Sequence, residues 1–270
     1  MQGRLSPMVD GKVQAFPALL WREEFDLAKK IGFELIEWVL DLTHVYKNPI
    51  FSITGRDEIL KLQKDYGIEI SSICCDCFMD YPLGSDNKKI RFESQGLLLE
   101  LIRVCADIGI RYIELPLIGN AEIKHEEKAE ILINLLNDLV PLLDQKKVYL
   151  LLETNLNPKE NSEILKRMPS DYILINYDTG NSIYWGFNPE DEIPVYGSRI
   201  GNIHIKDCTV KDYTVPLGQG DVDFNLTFKL LRECGYKGDF ILQTARGKDD
   251  FKDARKYFEF THHYIQKYLL

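Results

Sequence analysis

The sequence predicts an α/β protein of the (β/α)8 barrel class, the TIM barrel, organised as one domain over residues 1–270. Eight short apolar runs alternate with helical patterns or helix-sized connections, and a polar residue ends nearly every run. The length of 270 residues is close to the roughly 250 that is typical of such barrels. An open doubly wound sheet has the same alternation, but eight repeats with polar strand ends favour a closed barrel. No linker or change of composition divides the chain.

The apolar runs are typical of parallel strands that helices cover on their outer face. The four clearest begin at Val148, Ile173, Ile200 and Phe240. The eight predicted strands cover residues 1–5, 33–39, 68–75, 111–115, 148–153, 173–178, 200–204 and 240–243. The polar groups at or near their ends are Arg4, Glu37, Asp76, Glu114, Glu153, Asp178, His204 and Gln243. Because the carboxyl ends of barrel strands surround one face, we expect these groups to converge there.

Apolar residues recur at helical spacing between the predicted strands. In the first helix, Trp21, Phe25 and Ile31 lie at such intervals. The predicted helices cover residues 21–31, 57–66, 87–108, 126–143, 163–168, 224–234 and 251–268. For the second-last helix, we expect Asp223 to act as the N-cap and Gly235 to mark the end.

Charge argues against two classes of partner. The chain has 33 Lys and Arg against 42 Asp and Glu, which gives a formal net charge of −9. A field of this sign repels nucleic acids and anionic membrane surfaces, so neither is an expected partner. No apolar segment reaches the roughly 20 residues that cross a bilayer, and residues 1–11 lack the apolar core of a signal peptide. We therefore expect a cytoplasmic protein.

The six cysteines are predicted to be free thiols, because they are too few for a disulfide framework in a chain of this length. Cys74, Cys75 and Cys77 lie close together, but alternation along a strand turns Cys74 away from the other two. They cannot converge as the four thiolates of a structural zinc site do, so we expect small, buried apolar side chains.

Four strand ends carry groups that can bind one divalent metal ion, namely Glu153, Asp178, His204 and Gln243. A buried carboxylate, imidazole or amide needs a partner, and a shared ion is one such partner. Strand alternation places Lys206 on the same face as His204. Mn²⁺, Co²⁺, Mg²⁺ and Zn²⁺ all suit mixed oxygen and nitrogen ligands, so one divalent ion of this group is the predicted cofactor.

A simpler interpretation applies to single carboxylates at strand ends, which often pair with Lys or Arg. We favour it for Glu37, Asp76 and Glu114 taken alone, but not for the set of four potential metal ligands. Arg4 can likewise serve only to neutralise Glu37 on the adjacent strand.

Five stretches carry a resemblance to known proteins: Gly32–Trp38, Leu151–Asn155, Asp178–Asn181, Ile203–Asp207 and Pro216–Phe224. By their order and strand-end placement, the chain resembles over its whole length the xylose isomerase-like barrels. This superfamily contains sugar isomerases and epimerases, inosose dehydratases and hydroxypyruvate isomerases. The resemblance implies a metal site of Glu, Asp, His and Glu at the ends of the last four strands. The corresponding residues of this chain are Glu153, Asp178, His204 and Gln243.

Two residues depart from the family's pattern. The family's epimerases use the first and last Glu of the metal site as paired acid and base, whereas Gln243 cannot accept a proton. Asn181 replaces the His that usually lies three residues after the Asp and contacts substrate. The resemblance therefore implies Glu153 as the general base beside a metal that polarises a carbonyl. Lys206 is the expected second catalytic group, or else a holder of an anionic substituent.

Cations near the predicted barrel mouth indicate a phosphorylated or carboxylated substrate. Lys206 lies on the inward face, and Arg246 and Arg4 follow neighbouring strands, because the last strand of a closed barrel pairs with the first. Guanidinium groups bind phosphate or carboxylate through paired hydrogen bonds. The expected substrate-binding residues are Arg4, Glu114, Asn181, Lys206 and Arg246.

The leading hypothesis is a divalent-metal-dependent isomerase or epimerase of a small sugar, sugar phosphate or sugar acid. Its expected partner is that carbohydrate, and a homo-oligomer is compatible with the sequence. A dehydratase of the inosose or keto-acid type would use the same metal and base, and a sugar-binding barrel without turnover would explain Gln243. A related endonuclease branch needs many histidines at strand ends. Only His204 occupies such a position, so we set that branch aside.

Overall fold

The structure, a computed structural model, describes residues 1–2, 4–43, 45–123 and 125–270, so Gly3, His44 and Lys124 lie outside it. Seven parallel strands in this described part form one sheet, in which each strand pairs with the next along the chain. They are β1 (Leu35–Val39), β2 (Glu69–Cys74), β3 (Tyr112–Leu117), β4 (Tyr149–Thr154), β5 (Ile173–Asp178), β6 (Ile200–Ile205) and β7 (Asp239–Leu242). This nearly closed sheet with alternating helices confirms the predicted barrel class.

The N-terminal segment closes the barrel between β7 and β1. The backbone N–H of Gln2 donates to the carbonyl of Leu242 (3.2 Å), and the N–H of Glu37 donates to the carbonyl of Met1 (3.0 Å). Of the first strand, predicted over residues 1–5, the described residues 1–2 and 4–5 contribute one parallel bridge, between Gln2 and Glu37, and Gly3 lies outside the description. One bridge suffices here because the neighbouring strands hydrogen-bond to it from both sides.

Ten α-helices lie in the described part of the chain. They are α1 (Glu23–Ile31), α2 (Ile53–Tyr66), α3 (Cys77–Asp80), α4 (Lys88–Asp107), α5 (Glu126–Lys146), α6 (Pro158–Lys166), α7 (Thr179–Tyr184), α8 (Pro189–Tyr196), α9 (Phe224–Glu233) and α10 (Asp250–Tyr268). Each predicted helix has a counterpart. The short helices α3, α7 and α8 were not predicted, because each has too few turns for an apolar period to show.

Capping residues explain the helix boundaries that differ from the prediction. The Asn157 side chain accepts the N–H of Glu160 and the Glu160 carboxylate accepts the N–H of Asn157 (both 3.0 Å), so α6 begins at Pro158 rather than at 163. Similarly, Ser52 caps the start of α2. The predicted cap of α9 is confirmed, since Asp223 accepts the N–H of Leu226 (2.9 Å).

The two faces of the strands differ in polarity. Outward side chains such as Ile36, Trp38 and Ile113 are buried in the apolar core beneath the helices. Many inward side chains are instead polar and buried, and they form a layer inside the barrel: Gln2, Glu37, Ser72, Glu114, Asn176, Asn202 and His204. Such a layer needs internal partners, and those partners define the candidate site.

Two further features of the chain concern its thiols and its helices. All six cysteines are free, and five of them are buried, as predicted. Within the described residues, none of the helices is both long and apolar enough to cross a membrane.

Candidate active site

His204, near the end of β6, contacts carboxylates from two other strands. Its Nε2 lies 2.8 Å from Oε1 of Glu37 on β1 and 3.2 Å from Oε2 of Glu114 on β3. All three side chains are fully buried. A carboxylate only accepts hydrogen bonds when ionised, so this contact places a proton on Nε2 and leaves Nδ1 for another partner.

Amides and a hydroxyl hold both carboxylates from the interior of the barrel. Ser72 donates to Oε2 of Glu37 (2.6 Å), and Asn176 donates to Oε1 of Glu114 (3.2 Å). Asn202 donates to the carbonyl oxygen of the Asn176 side chain (3.0 Å). Each member comes from an inward position of its strand, so the network connects strands across the barrel and fixes the orientation of His204.

Asp178 ends β5 and points one carboxylate oxygen toward His204. Its Oδ1 accepts the backbone N–H groups of Gly180 (2.9 Å) and Asn181 (2.8 Å) at the start of α7. Its Oδ2 lies 3.9 Å from Nδ1 of His204, and neither atom has a hydrogen-bond partner among the residues that the structure describes. A Cβ at Gly180 would lie 2.7 Å from the side chain of Lys206, which explains the glycine in this turn. The turn thus fixes one oxygen of Asp178 and leaves the other facing the imidazole.

Glu153 and Lys206 lie at the next level, where β4 and β6 end. Asn181 donates from Nδ2 to Oε1 of Glu153, and its Oδ1 accepts from Nζ of Lys206 (2.8 Å). The Lys206 ammonium also lies 3.9 Å from Oδ2 of Asp178 and 3.8 Å from the centre of the Tyr213 ring. Glu153 and Lys206 are only 4% and 2% exposed, so their charges act in a poorly solvated environment.

Burial and neighbouring charges change the acidity of these groups. Burial, together with the carboxyl groups of Glu114 and Asp178, raises the pKa of Glu153 well above its usual range. Burial disfavours the protonated form of His204, but the carboxylates of Glu114 and Glu37 outweigh it and raise the pKa of the imidazole. Without a further cation, the crowded carboxyl groups therefore favour the protonated forms of both Glu153 and His204.

Two observations show that the residues fit a divalent cation. If Glu37, Glu114, Glu153 and Asp178 are ionised, they carry two more charges than a protonated His204 and Lys206 supply, and within 4 Å the described residues offer no other cationic group. Asp178 Oδ2 and His204 Nδ1, which accept no hydrogen bond from the described residues, also lie at a distance that two ligands of one ion can have, since two bonds of about 2.0–2.2 Å span up to roughly 4 Å.

In the described residues, one group of at least three His, Cys, Asp and Glu side chains has its ligand atoms within 4.8 Å of one another: Glu37, Glu114 and His204. This group shares only His204 with the predicted set of Glu153, Asp178, His204 and Gln243. A metal-binding His usually donates its other ring N–H to a carboxylate. Glu37 stands in that relation to Nε2, and Glu114 is a second carboxylate near the same nitrogen, which leaves Nδ1 of His204 beside Asp178 for an ion.

A cavity of about 860 Å³ opens at this end of the barrel and is lined by five of the predicted site residues: Arg4, Glu153, Lys206, Gln243 and Arg246. Its volume suits a small carbohydrate. Glu114 and Asn181, also predicted to bind substrate, are 0% and 1% exposed and lie beneath the cavity wall.

Both arginines of the cavity also hold the backbone around it. Arg246 donates to the carbonyls of Ser6 and Val13 (both 2.7 Å) and pairs with Asp250 (2.9 Å). Arg4 donates to the carbonyl of Thr244 and to the side chain of Gln14. The structure thus brings the predicted cations to the cavity and ties them to the segments that form its wall.

Two residues of the candidate site, Glu37 and Tyr213, are not among the residues predicted to be functional. Glu37 taken alone favours the interpretation as a simple ion pair, although its inward position on a strand was a usable signal for a place in the site. Tyr213 lies in the loop between β6 and α9, where no periodicity points to function. This loop is held by Asp207, whose Oδ2 accepts the N–H groups of Gly218 (2.8 Å) and Gly220 (2.9 Å).

Known proteins resemble the chain in sequence. It is 29% identical over 250 residues to a putative L-ribulose-5-phosphate 3-epimerase of Haemophilus influenzae, with 86% of each chain covered. It is 27% identical over 233 residues to an L-ribulose-5-phosphate 3-epimerase of Escherichia coli, with 83% of this chain and 81% of the other covered.

Solved structures share the fold. An L-ribulose 3-epimerase superposes with a TM-score of 0.80 at 16% identity, covering 99% of this chain and 94% of the other. An IolI protein with a bound zinc atom superposes with a TM-score of 0.74 at 18% identity, covering 92% and 94%. A family model described as the xylose isomerase-like TIM barrel matches residues 25–261. Because this match covers most of the chain, the protein belongs to the xylose isomerase-like TIM barrel family.

Proposed function

We propose that the chain is a divalent-metal-dependent epimerase that transfers protons at the carbon next to the carbonyl of a ketose, with ketose 5-phosphates as the preferred substrates. The observation that carries this proposal is that His204 Nδ1 and Asp178 Oδ2 lie 3.9 Å apart beneath a carbohydrate-sized cavity, with no hydrogen bond to either atom from the described residues. The two relatives named as L-ribulose-5-phosphate 3-epimerases support the substrate class.

Glu153, Asp178 and His204 would hold the ion, and Gln243 would add its amide oxygen. A bound divalent ion polarises a carbonyl and stabilises the negative charge that develops when a proton leaves the neighbouring carbon. Mn²⁺, Co²⁺, Mg²⁺ and Zn²⁺ remain the candidates, because the ligand set mixes oxygen with one nitrogen. Glu37 and Glu114 would fix the imidazole through its other nitrogen.

Glu153 and Lys206 would carry the two proton transfers. The Glu153 carboxylate removes the proton from one side of the carbon, and the Lys206 ammonium delivers a proton from the other side. The epimer then leaves behind a protonated Glu153 and a neutral Lys206, and exchange with water restores the starting forms. Burial disfavours the charged form of Lys206, but Asp178, Tyr213 and Glu153 together outweigh burial, raise the pKa of the lysine and would keep it protonated between turnovers.

Arg4 and Arg246 would place the anionic group of the substrate. Both guanidinium groups lie in the cavity wall, near the loop that carries Tyr213. A phosphate on the carbon chain far from the carbonyl could reach them while the carbonyl faces the metal ligands. Their bonds to backbone carbonyls would keep both groups in place before the substrate arrives, which lowers the entropy cost of binding.

Gln243 favours a second candidate, the aldose–ketose isomerase. An amide cannot take a proton, so a site in which Lys206 only binds an anion would retain a single base. Glu153 could then move one proton between adjacent carbons on the same face of the substrate. Loss of water from the same intermediate would make the chain a dehydratase, and binding without turnover would make it a sugar-binding barrel.

Solvent deuterium exchange separates these functions. The Mn²⁺-loaded protein is incubated in D₂O with L-ribulose 5-phosphate and with the unphosphorylated sugar, and products are followed by proton NMR and mass. The proposal expects a C3 epimer that carries one deuterium. An aldose product supports the isomerase, and a loss of 18 mass units supports the dehydratase. The absence of both product and exchange under saturating metal and sugar contradicts all three enzymes.

A further inference from the structure

Asn181 connects the two groups to which the proposed function assigns proton transfer. Its amide lies between Glu153 and Lys206 and hydrogen-bonds both. We infer that Asn181 is a positioning residue that holds Glu153 and Lys206 in one fixed relation. This inference rests on the proposed function for its catalytic meaning, but not for its geometry.

The chemistry of the neighbours fixes which way the amide points. A lysine ammonium has donors only, so it must face the oxygen Oδ1. The nitrogen Nδ2 then faces the Glu153 carboxylate, which accepts its hydrogen bond. A flipped amide would bring two donors together at Lys206 and two acceptors together at Glu153. The single amide of Asn181 thus hydrogen-bonds both groups in one defined orientation.

The backbone of Asn181 is itself immobilised. Its N–H donates to Oδ1 of Asp178 (2.8 Å), and the side chain is 1% exposed. Two residues earlier, the Thr179 hydroxyl donates to the carbonyl of Lys206 and accepts the Lys206 N–H (3.0 Å). The turn that carries the amide is therefore tied to the backbone of the lysine, so the amide cannot shift without moving the strand end.

Neither aspartate nor alanine at position 181 could make the same pair of contacts. An aspartate at 181 would bind Lys206 but place a second carboxylate against Glu153. An alanine would leave both groups without this partner, and of the contacts in the described part of the chain Lys206 would retain Asp178 at 3.9 Å and the Tyr213 ring at 3.8 Å. Because buried polar groups without a hydrogen bond are unfavourable, the side chains of Glu153 and Lys206 would then move to form other hydrogen bonds.

The test compares Asn181→Ala and Asn181→Asp with the native protein. The matched control is Asn161→Ala, which removes another buried amide that donates to the carbonyl of Leu156 (3.0 Å) and contacts Thr154 (2.7 Å). Crystal structures of native protein and Asn181→Ala measure the positions of the Glu153 carboxylate and the Lys206 ammonium. We expect at least one of them to move by about 1 Å or more, a shift large enough to impair proton transfer.

Kinetics supply the second readout. We expect Asn181→Ala to lower kcat by about tenfold or more with KM changed by less than about threefold, because positioning acts on the transition state. Combined with Lys206→Met, the substitution should add little further loss, which marks two residues that act as one unit. Asn161→Ala should keep kcat within about twofold.

Two results would overturn the inference. One is a crystal structure of Asn181→Ala in which Glu153 and Lys206 keep their native positions. The other is full additivity of Asn181→Ala with Lys206→Met in kcat. If the native protein turns over no ketose, the proposed function fails, and the crystallographic comparison still decides whether Asn181 positions the two groups.

Discussion

Oε1 of Glu37 lies 2.8 Å from Nε2 of His204, although 167 residues separate the two in the sequence. The contact crosses the barrel interior from β1 to β6 and fixes which nitrogen of the imidazole faces Asp178. A metal site at Nδ1 would therefore depend on a carboxylate that does not touch the ion.

Glu37→Gln should weaken metal binding by about 10–100-fold, because the amide no longer holds the imidazole as a charged acceptor does. His204→Ala should weaken it at least as much while the fold is retained, as judged by circular dichroism. Isothermal titration with Mn²⁺ measures both. Glu69→Gln, at the exposed start of β2, is the matched control. Native affinity in His204→Ala would show that the ion is not bound here.

Arg246→Ala should discriminate against phosphorylated substrate. We expect KM for a ketose 5-phosphate to rise about tenfold, equivalent to about 1.4 kcal/mol, with less than about a threefold change for the neutral ketose. Arg246→Lys should lie between the two, because it keeps the charge but not the paired donors. Equal effects on both substrates would assign Arg246 to holding the carbonyls of Ser6 and Val13 alone.

Tyr213 should support Lys206 through its ring rather than its hydroxyl. The ammonium lies 3.8 Å from the ring centre, a contact worth about 0.5–2 kcal/mol in such a setting. Tyr213→Phe should therefore keep kcat within about threefold, whereas Tyr213→Leu should lose about three- to thirtyfold. Steady-state kinetics at saturating substrate measures this. Equal losses in the two variants would indicate that the hydroxyl is the important group.

Asp76 should make the stability of the metal-free protein depend on pH. Burial raises the pKa of this carboxyl to about 6 in the folded state, against about 3.9 in the unfolded chain. The folded state thus favours the protonated form, so its contribution is complete below pH about 4 and is lost as pH rises through about 6.

Asp76→Asn should remove this dependence and stabilise the protein relative to native by on the order of 1–2 kcal/mol above pH about 6.5. Urea unfolding in EDTA across pH 4–7.5, with native protein as the reference, measures the difference. A constant difference between the two proteins over that range would contradict the assigned pKa.

The barrel class and most site positions could be predicted because both follow from local rules. Apolar runs that end in polar residues gave the strands, and alternation along each strand placed Glu153, Asp178 and Lys206 on the inward face. Asp223 was identified as a cap from its position alone. These signals depend on a few neighbouring residues, so they are visible in a single sequence.

What the sequence could not provide is the pairing across the barrel. That Glu37 would meet His204 depends on the relative heights of β1 and β6, which register shifts in the sheet alter. The bridge between Gln2 and Glu37 at the barrel's closure could not be predicted either, because closure is a property of the whole sheet. The role of Asn181 depends on where the side chains of Lys206 and Glu153 lie relative to its amide, and no local sequence pattern predicts that arrangement.

Gln243→Glu should restore epimerisation to a protein that has lost its lysine. In the proposed function, Lys206→Met removes the proton donor of the second face, so epimer formation should fall by about 100-fold or more while deuterium exchange through Glu153 persists. Gln243 lines the same cavity as Glu153 and Lys206, and glutamate has nearly the same volume. The added carboxylate can transfer a proton where the amide cannot.

The double variant Lys206→Met/Gln243→Glu should therefore regain at least about tenfold in epimer formation over Lys206→Met. It should bind Mn²⁺ no more weakly, because a charged ligand replaces a neutral one. Proton NMR in D₂O follows exchange and inversion separately. Native rates of inversion in Lys206→Met would show that the second proton comes from elsewhere. Exchange without inversion in the native protein, accompanied by an aldose product, would instead support the single-base isomerase.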